Sequence, residues 1–152
     1  MARLAALDRA NAARYAANGA ALERRLDALD GALRRRLAAL GGVRFVVFHD
    51  AYHYLERRYG LAAIGSITVT PESQPGARRL QAIRGKIRTL GARCVFREPQ
   101  FEPRLVDVVI AGSAARTGVL DPEGALLERG PELYFKLMNG LADGLARCLG
   151  NG

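Results

Sequence analysis

The sequence predicts an α/β fold: a three-layer sandwich with a four-stranded, mostly parallel sheet flanked by helices and preceded by a long N-terminal spine helix. Two patterns predict it. From Val43 onward, short apolar runs alternate with amphipathic stretches over short connections. Such alternation implies parallel strands joined by right-handed crossovers. Before Val43, Leu22, Leu26, Leu29, Leu33, Leu37 and Leu40 recur at steps of three and four residues, a single helical stripe. The chain has 152 residues, one domain's worth, and its 49% hydrophobic content is enough for a core.

Asp8 is placed to cap a helix running to about Leu40. At 1.5 Å per residue that stretch is about 50 Å long, more than a domain of this size covers. Gly19 and Gly31 are places where it can kink. Residues 11–21 are rich in alanine and poor in large apolar groups, so they are expected to touch little of this chain and to bridge to a neighbouring domain. After Gly41-Gly42, residues 43–48 read as a strand and 51–59 as a helix closed by Gly60. Residues 61–69 read as a strand broken by Gly65, and 71–76 as a loop. A helix over 77–90 ends at Gly91, where a C′ glycine belongs. Then come a strand at 94–96, a helix over 103–111 with Pro103 in its first turn, and a strand at 116–120. A turn at 121–124 and a closing helix over 132–149 complete the chain.

Composition removes several classes of function. The net charge of +8 comes almost wholly from arginine, which permits an anionic partner. An arginine and alanine bias also follows from a GC-rich genome. Aromatic residues are only 7%, with no interleaved stacking motif, so nucleic acid is not the expected partner. No run is apolar enough to span a membrane, and the first residues lack the marks of a signal peptide. That pattern fits a cytosolic protein or a piece of a longer precursor. Ser66 and Ser113 lack an elbow motif, and no glycine-rich phosphate loop opens a helix after a strand. No enzyme is expected. The two cysteines, Cys94 and Cys148, read equally as a buried reduced pair or as a disulfide stabilising the domain by about 4 kcal/mol.

The chemistry that remains is metal binding. His49 stands at the carboxyl end of the first expected strand, where open α/β sheets place ligand-contacting groups. Glu98 and Asp121 stand at two comparable junctions. One histidine and two carboxylates suggest a metal site but are too few to close one. For His49 alone, a metal ligand and a satisfied core histidine are both open readings. His53 lies four residues on, yet the glutamate of the zinc-protease helix is absent, and His49 precedes the helix. His53 therefore reads as a partly exposed helix residue. Glu98 and Asp121 are each followed by proline and fit turn or capping carboxylates, the preferred reading for Glu98.

Four blocks carry a family resemblance: Val47-Phe48-His49-Asp50-Ala51-Tyr52-His53-Tyr54; Pro75-Gly76-Ala77 before a basic helix; Cys94-Val95-Phe96-Arg97-Glu98-Pro99-Gln100-Phe101; and Leu120-Asp121-Pro122-Glu123-Gly124. In this order they resemble the C-terminal lobe of the zinc-specific solute-binding proteins of bacterial ABC transporters, the ZnuA type. Tyr15 and Asn18, with the leucine stripe, resemble the family's spine helix. The resemblance covers essentially the whole chain.

It implies a bilobed periplasmic protein that captures Zn²⁺ as cargo between its lobes and delivers it to an inner-membrane ABC permease. Residues 1–42 then correspond to the spine and 43–152 to the C-terminal metal-binding lobe. The N-terminal lobe, which supplies two further histidines, is not in this sequence. His49 matches the family's C-lobe histidine ligand. Asp121 matches the position where manganese- and iron-binding relatives use a carboxylate, and His53 has no counterpart role. An imidazole at position 49 argues for zinc over manganese. The family's C-lobe often bears a disulfide similar to Cys94–Cys148, which implies an oxidising compartment. The alternatives are a manganese- or iron-binding relative, a lone repurposed lobe, and a basic α/β interaction module without metal.

Overall fold

Four short strands set the architecture: β1 (Arg44–Val47), β2 (Ala62–Ser66), β3 (Cys94–Arg97) and β4 (Arg116–Val119), with β-branched and aromatic residues concentrated in β1 and β3. They form one sheet in the order β2-β1-β3-β4, and every neighbouring pair is parallel. The computed structural model describes residues 1–70 and 74–150, so residues 71–73 of the expected 71–76 loop lie outside the described residues. The helices are α1 (Ala2–Leu7), α2 (Ala12–Leu37), α3 (His53–Tyr59), α4 (Ala77–Leu90), α5 (Arg104–Ile110) and α6 (Leu133–Leu149). None among the described residues is long and apolar enough to cross a membrane. The chain divides into two compact units, Met1–Arg35 and Arg36–Gly152.

In the first unit Asp8 caps as expected, its side chain accepting from the Asn11 N–H, but it starts a 3₁₀ turn over Arg9–Asn11. Its backbone there (φ −130°) separates α2 from α1, a short helix over Ala2–Leu7 that was not expected before the cap. Neither Gly19 nor Gly31 interrupts α2, whose 26 residues run unbroken. Gly19 serves a close approach instead: a Cβ there would lie 2.7 Å from Cγ of Met1. Along the leucine stripe, Leu22 and Leu26 are exposed while Leu29, Leu33, Leu37 and Leu40 are buried.

The second unit is the α/β sandwich. The central strands β1 and β3 are buried on both faces, as parallel strands are: Phe45, Val46, Val47, Cys94, Val95 and Phe96 are all closed to solvent. Strand alternation divides them. Val46, Phe48 and Val95 face Ile83 and Ile87 of α4 and Val106 and Val109 of α5. On the other face Phe45 meets Phe96 edge-on, with centroids 5.6 Å apart, and α6 covers β4. There Cys94 is bonded to Cys148, with Cα atoms 6.2 Å apart, so the pairing implied by the family resemblance holds. Two glycines permit this closeness. A Cβ at Gly118 would sit 2.4 Å from the Phe96 ring, and one at Gly144 would sit 2.5 Å from the Val119 carbonyl oxygen.

Element ends differ from expectation where local rules compete. The strand expected over 61–69 stops at Ser66, because Gly65 (φ +155°) and a register shift on β1 break the ladder. Ile67 and Thr68 still donate to Val47 and Phe48. Pro103 is the N-cap of α5 and lies outside its first turn. The helix at 77–90 falls as read, with Gly91 left-handed at its end (φ 64°).

Part of the basic charge has a structural use. In a parallel α/β sheet, helix C-termini meet strand N-termini, where unsatisfied carbonyls carry partial negative charge. Arg44 donates to Leu90 O at 2.9 Å and Arg93 to Leu149 O at 2.7 Å. Arg116 donates to Cys148 O and Gly150 O, and Arg84 to Ala111 O. These contacts place four arginines at the ends of α4, α5 and α6. Lys86 and Arg79 likewise bond to Ile64, Ser66 and Ile67 carbonyls along the β2 edge, which blunts an edge strand.

Candidate metal-binding site

The sheet register brings the candidate residues together. Phe45 pairs with Cys94 and Val46 with Val95. His49 and Glu98 lie four residues beyond Phe45 and Cys94 respectively, so they emerge side by side at the carboxyl edge. Cys94 also pairs with Arg116, which brings the end of β4, and Asp121, to the same edge.

His49 sits in the bend between β1 and α3, as expected, and does not share α3 with His53. Phe48 stacks on Phe101 (centroids 4.8 Å apart, planes 7° apart), and the His49 ring meets Phe101 edge-on at 6.3 Å. The imidazole is 14% exposed, and its Nδ1 lies 2.7 Å from Oε1 of Glu98. The Tyr52 hydroxyl donates to the same oxygen at 3.2 Å. Among the described residues Nε2 has no hydrogen-bond partner.

Glu98 corrects the turn-carboxylate reading. Arg97, the last residue of β3, is exposed, while Glu98 just beyond it, on the face of Cys94 and Phe96, is 2% exposed. A carboxylate that buried requires partners, and His49 and Tyr52 supply them. Burial pushes the Glu98 carboxyl above its ordinary value, while the neighbouring His49 pulls it back down. Burial, then the Glu98 charge, raises the Tyr52 phenol far above its ordinary range, so it stays a donor at any accessible pH.

Asp121 does cap a turn. Its Oδ1 accepts from Gln100 Nε2 at 2.7 Å, Gly124 N at 2.9 Å and Glu123 N at 3.2 Å. Among the described residues Oδ2 takes no hydrogen bond. The Asp121 charge adds a little to the upward push on the Tyr52 phenol, so the carboxylate lies within electrostatic reach of Tyr52. The side-chain amide oxygen Oε1 of Gln100 is buried, with no hydrogen-bond partner among the described residues. His53 lies apart: its ring is 67% exposed and its Nε2 is 3.0 Å from Asp50 Oδ1. Among the described residues no group of three or more His, Cys, Asp or Glu side chains could hold a metal ion.

The edge therefore offers one imidazole nitrogen and one carboxylate oxygen, each held by groups behind it. Sequence reasoning missed Tyr52, Gln100 and the role of Glu98. Equal offsets from two paired apolar strands were the signal that could have linked Glu98 to His49.

The chain matches the family described as zinc-uptake complex component A, periplasmic, over residues 1–148. It is 52% identical over 142 residues to the high-affinity zinc uptake system protein ZnuA of Brucella abortus (strain 2308), covering 93% of this chain and 42% of that protein. The protein of the same name from Paracoccus denitrificans (strain Pd 1222) is 44% identical over 141 residues, covering 92% and 43%. A crystal structure of ZnuA superposes with a TM-score of 0.78 at 28% identity, covering 97% of this chain and 55% of that one. The laminin-binding adhesin of Streptococcus agalactiae shares the fold, with a TM-score of 0.81 at 22% identity, covering 97% and 55%. The chain thus spans about two fifths of the length of the curated relatives it matches.

Proposed function

The chain belongs to the family of the periplasmic zinc-uptake component ZnuA, and on that premise we propose that it is the C-terminal half of a zinc-capturing solute-binding protein. Residues 1–42 act as the spine toward an N-terminal lobe, and residues 43–152 form the metal-binding lobe. His49 ligates Zn²⁺ through Nε2, Asp121 offers Oδ2, and the N-terminal lobe supplies the remaining ligands. The filled protein hands its ion to an ABC permease. Its role is capture without catalysis.

The observation that supports this reading most is the His49–Glu98 pair. Histidines that bind metal usually pass their other ring nitrogen to a carboxylate or carbonyl, which fixes the ring and raises its basicity. Here a buried carboxylate takes Nδ1 at 2.7 Å, and Nε2 has no partner among the described residues. Neutral imidazole suits zinc better than manganese. Two protein ligands from one lobe make a weak site, so the isolated chain should bind zinc reversibly.

The test uses the fact that the chain has only two histidines. Titration with Zn²⁺ should move the imidazole signals of His49 and leave those of His53 in place. In the protein carrying both lobes, His49→Ala should lower zinc affinity by at least about 100-fold, and His53→Ala should barely change it. The reverse ranking refutes the assignment.

A further inference from the structure

We propose that Glu98, braced by Tyr52, is a positioning residue that holds His49 as the Nδ1–H tautomer and so presents Nε2 to the ion. The proposal rests on the zinc reading above for its purpose, but the tautomer is a property of the metal-free chain.

The geometry carries it. Glu98 Oε1 receives the Tyr52 hydroxyl and faces His49 Nδ1 at 2.7 Å. An oxygen that accepts from a phenol acts as an acceptor toward the ring as well, so Nδ1 carries the proton and Nε2 the lone pair. Rotation of the ring is limited by the Phe101 edge contact and by Tyr52 alongside at 6.3 Å. Glu98 is nearly closed to solvent and its facing oxygen already takes two partners, so it acts through His49 and does not itself touch the ion. His53 shows the opposite arrangement: it engages the exposed Asp50 through Nε2, which leaves that nitrogen committed. The same chain therefore contains its own control.

The experiment reads ring nitrogen shifts in the nitrogen-15-labelled, metal-free chain at about pH 8.5, above the ordinary imidazole and carboxyl ranges. In the wild type, His49 should show a protonated Nδ1 and an unprotonated Nε2. Glu98→Gln keeps an acceptor oxygen and should keep that tautomer. Glu98→Leu fills the space without an acceptor and should shift His49 toward the Nε2–H form that an unconstrained side chain favours. Its zinc affinity should fall by about 10- to 100-fold, as loss of a carboxylate behind a ligating histidine does. A wild-type His49 with its proton on Nε2 overturns the proposal, and this holds even if Glu98→Leu fails to fold. An unchanged tautomer in folded Glu98→Leu overturns it too. Zinc that leaves the wild-type His49 shifts unmoved overturns the ligand reading instead, while the Glu98-held tautomer stands on the metal-free spectra.

Discussion

Reduction of the Cys94–Cys148 bond tests how the edge of the sheet is held. The bond joins the first residue of the central strand β3 to the last turn of α6, the helix that covers β4. The cysteines are 54 residues apart, and the logarithmic dependence of loop-closure entropy on that length gives about 4 kcal/mol at 25 °C. Both sulfurs are buried, so the reduced thiols stay packed and open no cavity. Against a net stability of about 5–15 kcal/mol for a domain, that is about a quarter or more of the total. The assay is urea unfolding of the oxidised chain and of chain reduced in denaturant and refolded in reductant, followed by far-ultraviolet circular dichroism. With a slope of about 2 kcal/mol/M, the midpoint should fall by about 2 M. A shift below about 0.3 M, with the slope unchanged, would show that cross-linking adds nothing and that α6 is held by packing alone.

Gly144→Ala drives a Cβ to within 2.5 Å of a backbone oxygen that cannot yield, so it should destabilise by about 1–3 kcal/mol. Gly140→Ala on the same helix meets nothing within 4 Å and should stabilise by up to about 1 kcal/mol; equal effects in urea titration would contradict the packing described. Tyr52→Phe removes the hydroxyl donated to Glu98 and should cost about 1–2 kcal/mol in the same assay. Stability against pH tests the buried carboxyl. Because burial raises Glu98 above 4.5, its protonated form favours the fold. Its contribution is complete below the unfolded value and is lost as pH rises through the folded one. Glu98→Gln cannot ionise, so the stability of the wild type relative to this variant should decline as pH climbs from about 4.5. A difference that grows with pH would reverse the assignment.

The strand–helix alternation, the closing glycines at 60 and 91, and the Asp8 cap were readable because each depends on a few neighbouring residues. The burial of β1 and β3 on both faces agrees with the apolar runs at residues 45–48 and 94–96, which have no polar face to offer water. The position of His49 followed from the strand's end. The fate of Glu98 did not, since a carboxylate before proline looks the same in sequence whether it caps a turn or is buried. Only the pairing of Phe45 with Cys94 decides that it meets His49.

The order and type of the elements, and the residue types able to hold a metal, are written in local patterns along the chain. Register, burial and partner choice are not local, because they depend on which strand lies beside which and on what fills the space between. That is why Tyr52, Glu98 and Gln100, distant in sequence from the groups they hold or spaced without period, became visible only once the sheet was assembled. It is also why four arginines, seen along the chain only as part of its basic composition, proved to stand at the negative ends of helices.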